Sequence, residues 1–422
     1  MAIKNPPGYT LRDEPALREA VHRAVQATPI TDLHTHLFPP AFGGLLLWGI
    51  DDLLTYHYLI AEVLRVAPIA PAAFHHLSQA EQADLIWEQL FVQRAPISEA
   101  CRGVITVLSK LGLEPAANNL DDYRDWFRAQ RVEDFVDRIF EIANVRSVVM
   151  TNDPFDDHER AVWERGYTSD SRFYAALRID PLLNDWPNAA KRLAAWGYKV
   201  DDNLTDKTRG EVRRFLGDWM QRMDARYCAV SLPPDFAFPD DTPRTLLIRE
   251  CVLPAAREHD IPFAMMIGVR RQINPALRLA GDAVGMADLA ALYRICAEHP
   301  DNRFLCTVLS RENQHELAVA ARKFPNLTIF GCWWFLNNPS LIEEMTRMRV
   351  ELLGLSFIPQ HSDARILDQL LYKWAHSRDV LARVLADKFA DVARAGRPVA
   401  QTEIERDVAR LLDTNAREVL GK

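Results

Sequence analysis

Apolar positions along the chain follow two rhythms. Short runs dense in β-branched and aromatic residues alternate with longer stretches whose apolar residues recur every three or four positions, the marks of buried strands and amphipathic helices. The first short run, PITDLHTH at 29–36, starts apolar and ends polar, as a buried strand does on reaching the rim of a sheet. Seven more follow at 145–153, 172–180, 227–232, 262–268, 303–310, 326–332 and 351–358. Helical spacing fills 206–223, 242–259, 286–299, 313–324 and 339–350. Between the first two strands it runs from Ile50 to about Val145, which predicts a helical insertion subdomain at 50–145.

Eight strands separated by helices build either an open doubly wound sheet or a closed barrel. Two features favour closure. No GxGxxG or GxxxxGKS turn follows any strand, which removes the common nucleotide-binding reason for an open sheet. Every strand after the second ends in polar or aromatic residues, where a (β/α)8 barrel gathers its active site. The expected fold is α/β, a TIM-type barrel with a helical insertion after strand 1, all of 1–422 forming one domain. The helically spaced stretch 403–422 is expected to pack on the barrel's outside.

Composition narrows the class of protein. The 422 residues are 48% hydrophobic and 26% charged, which suits a soluble globular protein and excludes disorder and disulfide mini-scaffolds. A formal charge of −8 without a basic block argues against nucleic acid as a partner. The longest apolar run, Ala41 to Ile50, is far short of the ~20 residues of a spanning helix, and the first residues lack an apolar signal core. No membrane association is therefore expected. Six cysteines without a CxxC pair suit a reducing cytoplasm.

The first chemical signal is His34 and His36. On a strand, residues i and i+2 face the same side, so two imidazoles converge on one centre, and imidazole is a common zinc ligand. Asp363, just past the eighth strand, supplies a third ligand if the barrel closes, because strands eight and one are then neighbours. Ser362 and Asp363 also precede a helix expected to begin near Ala364, so an N-terminal cap is the rival role for either. Arg178 interrupts an apolar run at a strand tip, where a bare buried charge is costly, and so reads as paired or functional. Tyr58 sits at helical spacing among apolar residues and fits the core as readily as a site. Trp333 and Trp334 face opposite ways if their strand continues, so one of them is expected to reach the site. His57 and His361 flank the site and are read as solvated or supporting groups.

Taken in order, HTHL at 34–37, HYL at 57–59, TNDPFDDH at 151–158, ALRIDP at 176–181, IGVRRQIN at 267–274, FGCWWFLN at 330–337 and SDARILDQLLYKWAHSRDVL at 362–381 resemble the landmarks of uronate isomerases, within the amidohydrolase superfamily. The likeness runs over roughly residues 25 to 420. It implies a distorted (β/α)8 barrel that holds one divalent metal ion, zinc as the usual identity, on His34, His36 and Asp363. It also implies a site lined by Tyr58, Arg178, Trp333, Trp334 and Arg365, and a small-molecule sugar acid as substrate. Moving a carbonyl from C1 to C2 of a hexuronate of the glucuronate or galacturonate type requires removal of a proton α to a carbonyl. Asp363 suits the base, Tyr58 a donor to the charged oxygen, and Arg178 or Arg365 a bidentate clamp for the carboxylate.

Two positions depart from the family pattern: Met266 stands where the isomerases carry a histidine, and SLPPDF at 231–236 replaces an Asp-His-Gly. A thioether neither shuttles a proton nor binds a hydroxyl well. The alternative reading is a mononuclear metal-dependent hydrolase of a lactone, ester or amide, or a decarboxylase, acting on a less hydroxylated acid. A two-metal site is not expected, since strand four offers no lysine and His315 lies well into a helix. Homo-oligomer formation is compatible with the helical insertion's surface.

Overall fold

Seven of the expected strands lie side by side in one parallel sheet, in chain order. They are β1 (Ile30–Thr35), β2 (Val145–Asn152), β3 (Phe173–Arg178), β4 (Cys228–Leu232), β5 (Phe263–Ile267), β6 (Phe304–Val308) and β7 (Leu327–Ile329). The computed structural model describes residues 10, 11, 13–117, 119–168 and 170–421.

The eighth strand differs from expectation. Residues 351–353 end the helix Pro339–Leu353, because Glu351-Leu352-Leu353 continues its spacing until Gly354, at φ +62°, stops it. The chain then closes the barrel without forming a regular ladder. On one flank Ile358 N donates to Ile329 O (3.0 Å) and Gly331 N to Ile358 O (2.9 Å); on the other, Asp363 N donates to His34 O (3.1 Å) and His36 N to Ala364 O (2.7 Å). Segment 357–364 thus seams β7 to β1, and the architecture is a distorted (β/α)8 barrel.

Side-chain alternation sorts each strand into two faces. Val149, Ala176, Ala229, Ala264, Leu305 and Phe330 pack together inside the barrel, while the other face of the sheet buries its apolar residues against the surrounding helices. Of the C-terminal helices, Gln401–Ala409 packs on the outside as expected, with Ile404 and Val408 in the outer cluster, whereas Asn415–Val419 is a correction to that position. Ala416 and Leu420 join the interior cluster, Thr31 Oγ1 donates to Asp413 Oδ1 (2.6 Å), and Asn415 Nδ2 donates to Leu355 O and Phe357 O (2.7 and 2.8 Å). This end of the chain plugs the barrel's N-terminal mouth, because an open mouth would leave interior apolar residues wet.

Between β1 and β2 the chain forms the helices expected of 50–145, from Ile50–Leu54 to Val132–Ala143. The run at 121–143 is two helices, Asp121–Arg128 and Val132–Ala143, broken where Arg131 turns to extended geometry. After the seam comes Gln369–Arg394, a 26-residue helix with a deeply buried first half. No helix among the described residues is long and apolar enough to cross a membrane.

Asp32, wholly buried on β1, ties these parts together: its carboxylate accepts from Ser362 N (3.1 Å) on the seam and from Trp374 Nε1 (2.9 Å) on the long helix. Burial raises its pKa, and these donors work in the opposite direction. Asp32→Ala strands both buried donors and is expected to cost about 3 kcal/mol of stability, read as a lowered urea midpoint. A change below about 0.5 kcal/mol would show that closure does not depend on this carboxylate.

Candidate active site

A cavity opens at the C-terminal end of the barrel, and its wall includes His34, His36, Arg178, Trp333, Trp334, Asp363 and Arg365. Sequence reasoning singled out all of these. The register of β1 is irregular between Asp32 and Thr35, so Leu33 packs inside the barrel while His34 and His36 both reach the cavity.

Asp363 Oδ1 lies 3.5 Å from His34 Nε2 and 3.4 Å from His36 Nε2. Charge-assisted hydrogen bonds are shorter, about 2.7–2.9 Å. Ligand atoms placed tetrahedrally at about 2.0–2.1 Å from a zinc-sized ion sit about 3.4 Å apart. His34 Nε2 is buried with no hydrogen-bond partner, although such an atom is costly to leave bare. Tyr227 spends its one hydroxyl proton on Leu33 O (2.8 Å), so towards His34 Nδ1, at 3.4 Å, it can only accept. That puts the imidazole proton on Nδ1 and leaves the Nε2 lone pair facing the site. Burial pushes His36 down to about 3, so it too is a neutral lone-pair donor. Two neutral imidazoles and one carboxylate fit a divalent metal, and among the described residues no other grouping of histidine, cysteine, aspartate and glutamate does so.

Asp363 holds this position in a left-handed backbone conformation, φ +51°, which is uncommon for a residue with a side chain. The surroundings enforce it. Lys373 Nζ, buried on the long helix, donates to Ser362 O (2.7 Å), and Asn337 Nδ2 donates to the same oxygen (2.9 Å). The expected capping role is corrected: the helix begins at Gln369, five residues later than anticipated near Ala364, so neither Ser362 nor Asp363 caps it. Gln369 Oε1 instead accepts from Arg365 N (2.9 Å), which keeps the intervening turn out of the helix.

The three cavity arginines are in different states. Arg178 grips Asp180 through Nε and Nη2, each at 2.9 Å. Burial works against its charge, but Asp180 more than offsets this and raises its pKa. Arg271 pairs with Asp282 at 2.6 Å. The Arg365 guanidinium has no hydrogen bond or ion pair among the described residues. Both tryptophans line the cavity, contrary to the alternation expected of a continuing strand: β7 ends at Ile329, and Trp334 takes φ +48° at the start of a short turn, Trp334–Leu336. Trp334 Nε1 donates to His57 Nε2 (3.1 Å), so His57 lines the cavity with a partner.

Tyr58 stands one layer back. Its hydroxyl is buried and unpartnered, its ring meets Tyr56 edge-on at 5.0 Å, and Tyr56 rather than Tyr58 lines the cavity. His361 is fully buried, with its ring 5.0 Å from His34 and both nitrogens unpartnered. Gly331, at φ +68°, makes room for it, since a Cβ there would lie 1.8 Å from the His361 ring. Sequence reasoning missed Asp180, Arg271 and Asp282 as site residues. The first two lie in quoted landmarks, ALRIDP and IGVRRQIN, while Asp282 becomes adjacent only through a hairpin.

Comparison with solved structures places the chain beside a uronate isomerase from Bacillus halodurans, with 56% identity over 98% of each chain and a TM-score of 0.96. A glucuronate isomerase from Caulobacter crescentus (16% identity, TM-score 0.79, covering 100% of this chain and 97% of that one) shares the fold. So does a uronate isomerase from Thermotoga maritima (15% identity, TM-score 0.75, 98% and 100%). No family model and no curated protein matches the chain.

Burial pushes His57 down to about 3, which keeps it neutral over the physiological range. The unfolded chain takes up a proton near pH 6.5 that the folded ring refuses, so this residue costs stability as pH falls below about 6.5. His57→Gln is expected to reduce the acid-side loss of stability between about pH 6.5 and 4, measured by urea unfolding at stepped pH. His57 ring signals in NMR should stay flat from about pH 8 to 5, and titration near 6.5 would contradict this.

Proposed function

The chain belongs to the uronate isomerase family, and on that premise we propose that it interconverts an aldo- and a keto-hexuronate through an enediolate, with Asp363 as the base. The observation that carries this reading is the arrangement of Asp363. Oδ1 is the oxygen nearest both imidazoles, at 3.5 and 3.4 Å, which leaves Oδ2 free to take the proton α to the carbonyl and return it to the neighbouring carbon. His34, His36 and Asp363 would hold one divalent ion, with zinc as its identity. Such an ion, when bound, stabilises negative charge on oxygen as the α proton leaves.

Arg365 serves as the clamp for the uronate carboxylate. Its guanidinium is unpaired, whereas Arg178 already spends two donors on Asp180, so Arg178 contributes position and a remaining edge. Tyr58, reached through Tyr56 and His57, would donate its proton to the charged O1 oxygen and take one back from the C2 hydroxyl as the ketone forms, on a small inward movement of its helix, His57–Val63. Trp333 and Trp334 exclude water and give the sugar's C–H faces a surface. All six cysteines are free and buried, which supports a cytoplasmic setting.

Purified protein loaded with divalent metal is expected to convert glucuronate or galacturonate in deuterated water to the ketouronate, with deuterium appearing in the sugar by NMR. Both sugars returning unchanged and unlabelled would defeat the proposal. Asp363→Asn should lower kcat by roughly a thousandfold. Arg365→Met should act chiefly on KM, by roughly ten- to a hundredfold. Elemental analysis should find about one metal equivalent in the wild type and little in His34→Ala.

A further inference from the structure

One wall of the cavity belongs to no barrel strand. After β5 the chain makes a hairpin, Val269–Arg270 against Ala283–Val284, closed by the turn Pro275–Gly281. The hairpin's base is tight: Asn274 N donates to Gly281 O (3.2 Å), and a Cβ on Gly281 would lie 2.0 Å from Asn274 O. This close approach sets Arg271 opposite Asp282, and both line the cavity. Asp282 Oδ2 meets Arg271 Nη1 at 2.6 Å, and Asp282 Oδ1 accepts from Gln272 N at 2.8 Å. The Arg271 guanidinium carbon lies 5.9 Å from the centroid of the Trp334 ring.

The hydrogen-bond inventory of this pair differs from that of the other two arginines. Arg178 and Asp180 face each other with two donors on two oxygens, and Arg365 offers an uncompensated charge. Arg271 commits one of its five N–H donors to Asp282, and its side chain is 54% exposed. Each Asp282 oxygen accepts one donor, although a carboxylate has about four lone-pair positions. The Asp282 side chain is nonetheless only 3% exposed, so its open acceptor positions are held out of bulk water. The pair is neutral as a unit. It therefore competes poorly with Arg365 for a carboxylate, but it presents a donor and an acceptor side by side, which is what a hydroxyl group needs. The Trp334 face beside it suits the C–H surface of a sugar.

We propose that Arg271 and Asp282 are specificity-determining residues that read hydroxyl groups on the substrate's carbon chain, so that the hairpin selects hydroxylated sugar acids over plain carboxylic acids. A site equipped to bond a hydroxyl discriminates against the analogue that lacks it, because its buried polar groups are then left unpaired. The assignment rests on the uronate reading for the nature of the substrate and adds which groups recognise its hydroxyls.

The test is calorimetric binding to the metal-loaded full chain of two six-carbon diacids, glucarate, which carries hydroxyls, and adipate, which does not. The wild type should prefer glucarate. Arg271→Met and Asp282→Asn, the second being nearly isosteric, should each reduce that preference roughly tenfold through weaker glucarate binding, with adipate affinity unchanged. A preference equal to that of the wild type in both variants would overturn the proposal. So would an equal loss for both diacids, since that marks a general structural or carboxylate-binding role. Binding is read without turnover, so failure to isomerise any hexuronate defeats the isomerase reading while this ratio still decides the role of the pair.

Discussion

The structure depends on a short, irregular seam. Two backbone hydrogen bonds, Asp363 N to His34 O and His36 N to Ala364 O, join the last part of the barrel to the first, and the residues that make them are the candidate metal ligands themselves or the next in sequence. Barrel closure and assembly of the candidate metal site are therefore one event. A regular eighth strand would extend the ladder with alternating side chains; this segment instead turns through a left-handed residue at Asp363, which aims the carboxylate at the two imidazoles. The strain is held by neighbours that are themselves buried: Asp32 on Ser362 N, and Lys373 and Asn337 on Ser362 O.

The same economy governs the charges. Lys373 has its ammonium wholly buried, and burial lowers its pKa, yet its nearest hydrogen-bond acceptor is a carbonyl rather than a carboxylate. The charge is thus left near Asp363, where it supports the ionised carboxylate without neutralising it by direct contact. Around the cavity, Asp180 and Asp282 each neutralise an arginine, so the unpaired guanidinium of Arg365 stands out as the candidate anion-binding group among the three. Charge and hydrogen-bonding capacity are distributed over different side chains, which lets a single small cavity treat a carboxylate and a hydroxyl differently.

Much of this was legible in the sequence because strand alternation and helical spacing are local signals. All seven ladder strands lie where their apolar runs placed them, and His34 and His36 both reach one cavity as expected, although an irregular register of β1 rather than regular alternation brings them there. What sequence could not show was mostly backbone behaviour decided at a distance. Glu351-Leu352-Leu353 reads equally as strand or as the last turn of a helix, and the upstream helix decides it. Gln369 bonds back to Arg365 N and delays the next helix, a contact with no pattern in the apolar rhythm. The last C-terminal helix, Asn415–Val419, has an apolar face that fits the outside of a barrel as well as its open mouth, and only the interior residues it covers settle the choice. Asp282 pairs with Arg271 through a hairpin of two-residue strands, too short to leave a periodic trace.

The seam also has a consequence for how the protein is made. Asp32 and Ser362, which it brings together, are 330 residues apart in the chain. At ribosomal rates of about 5–20 residues per second, the first strand waits roughly a quarter of a minute to a minute for its partner to emerge. Throughout that interval the nascent polypeptide carries its imidazoles without the carboxylate that completes them, and the growing sheet keeps a raw edge at β1. The candidate metal site can assemble only after Asp363 has emerged, and until then that unpaired edge is the part of the barrel most in need of a chaperone.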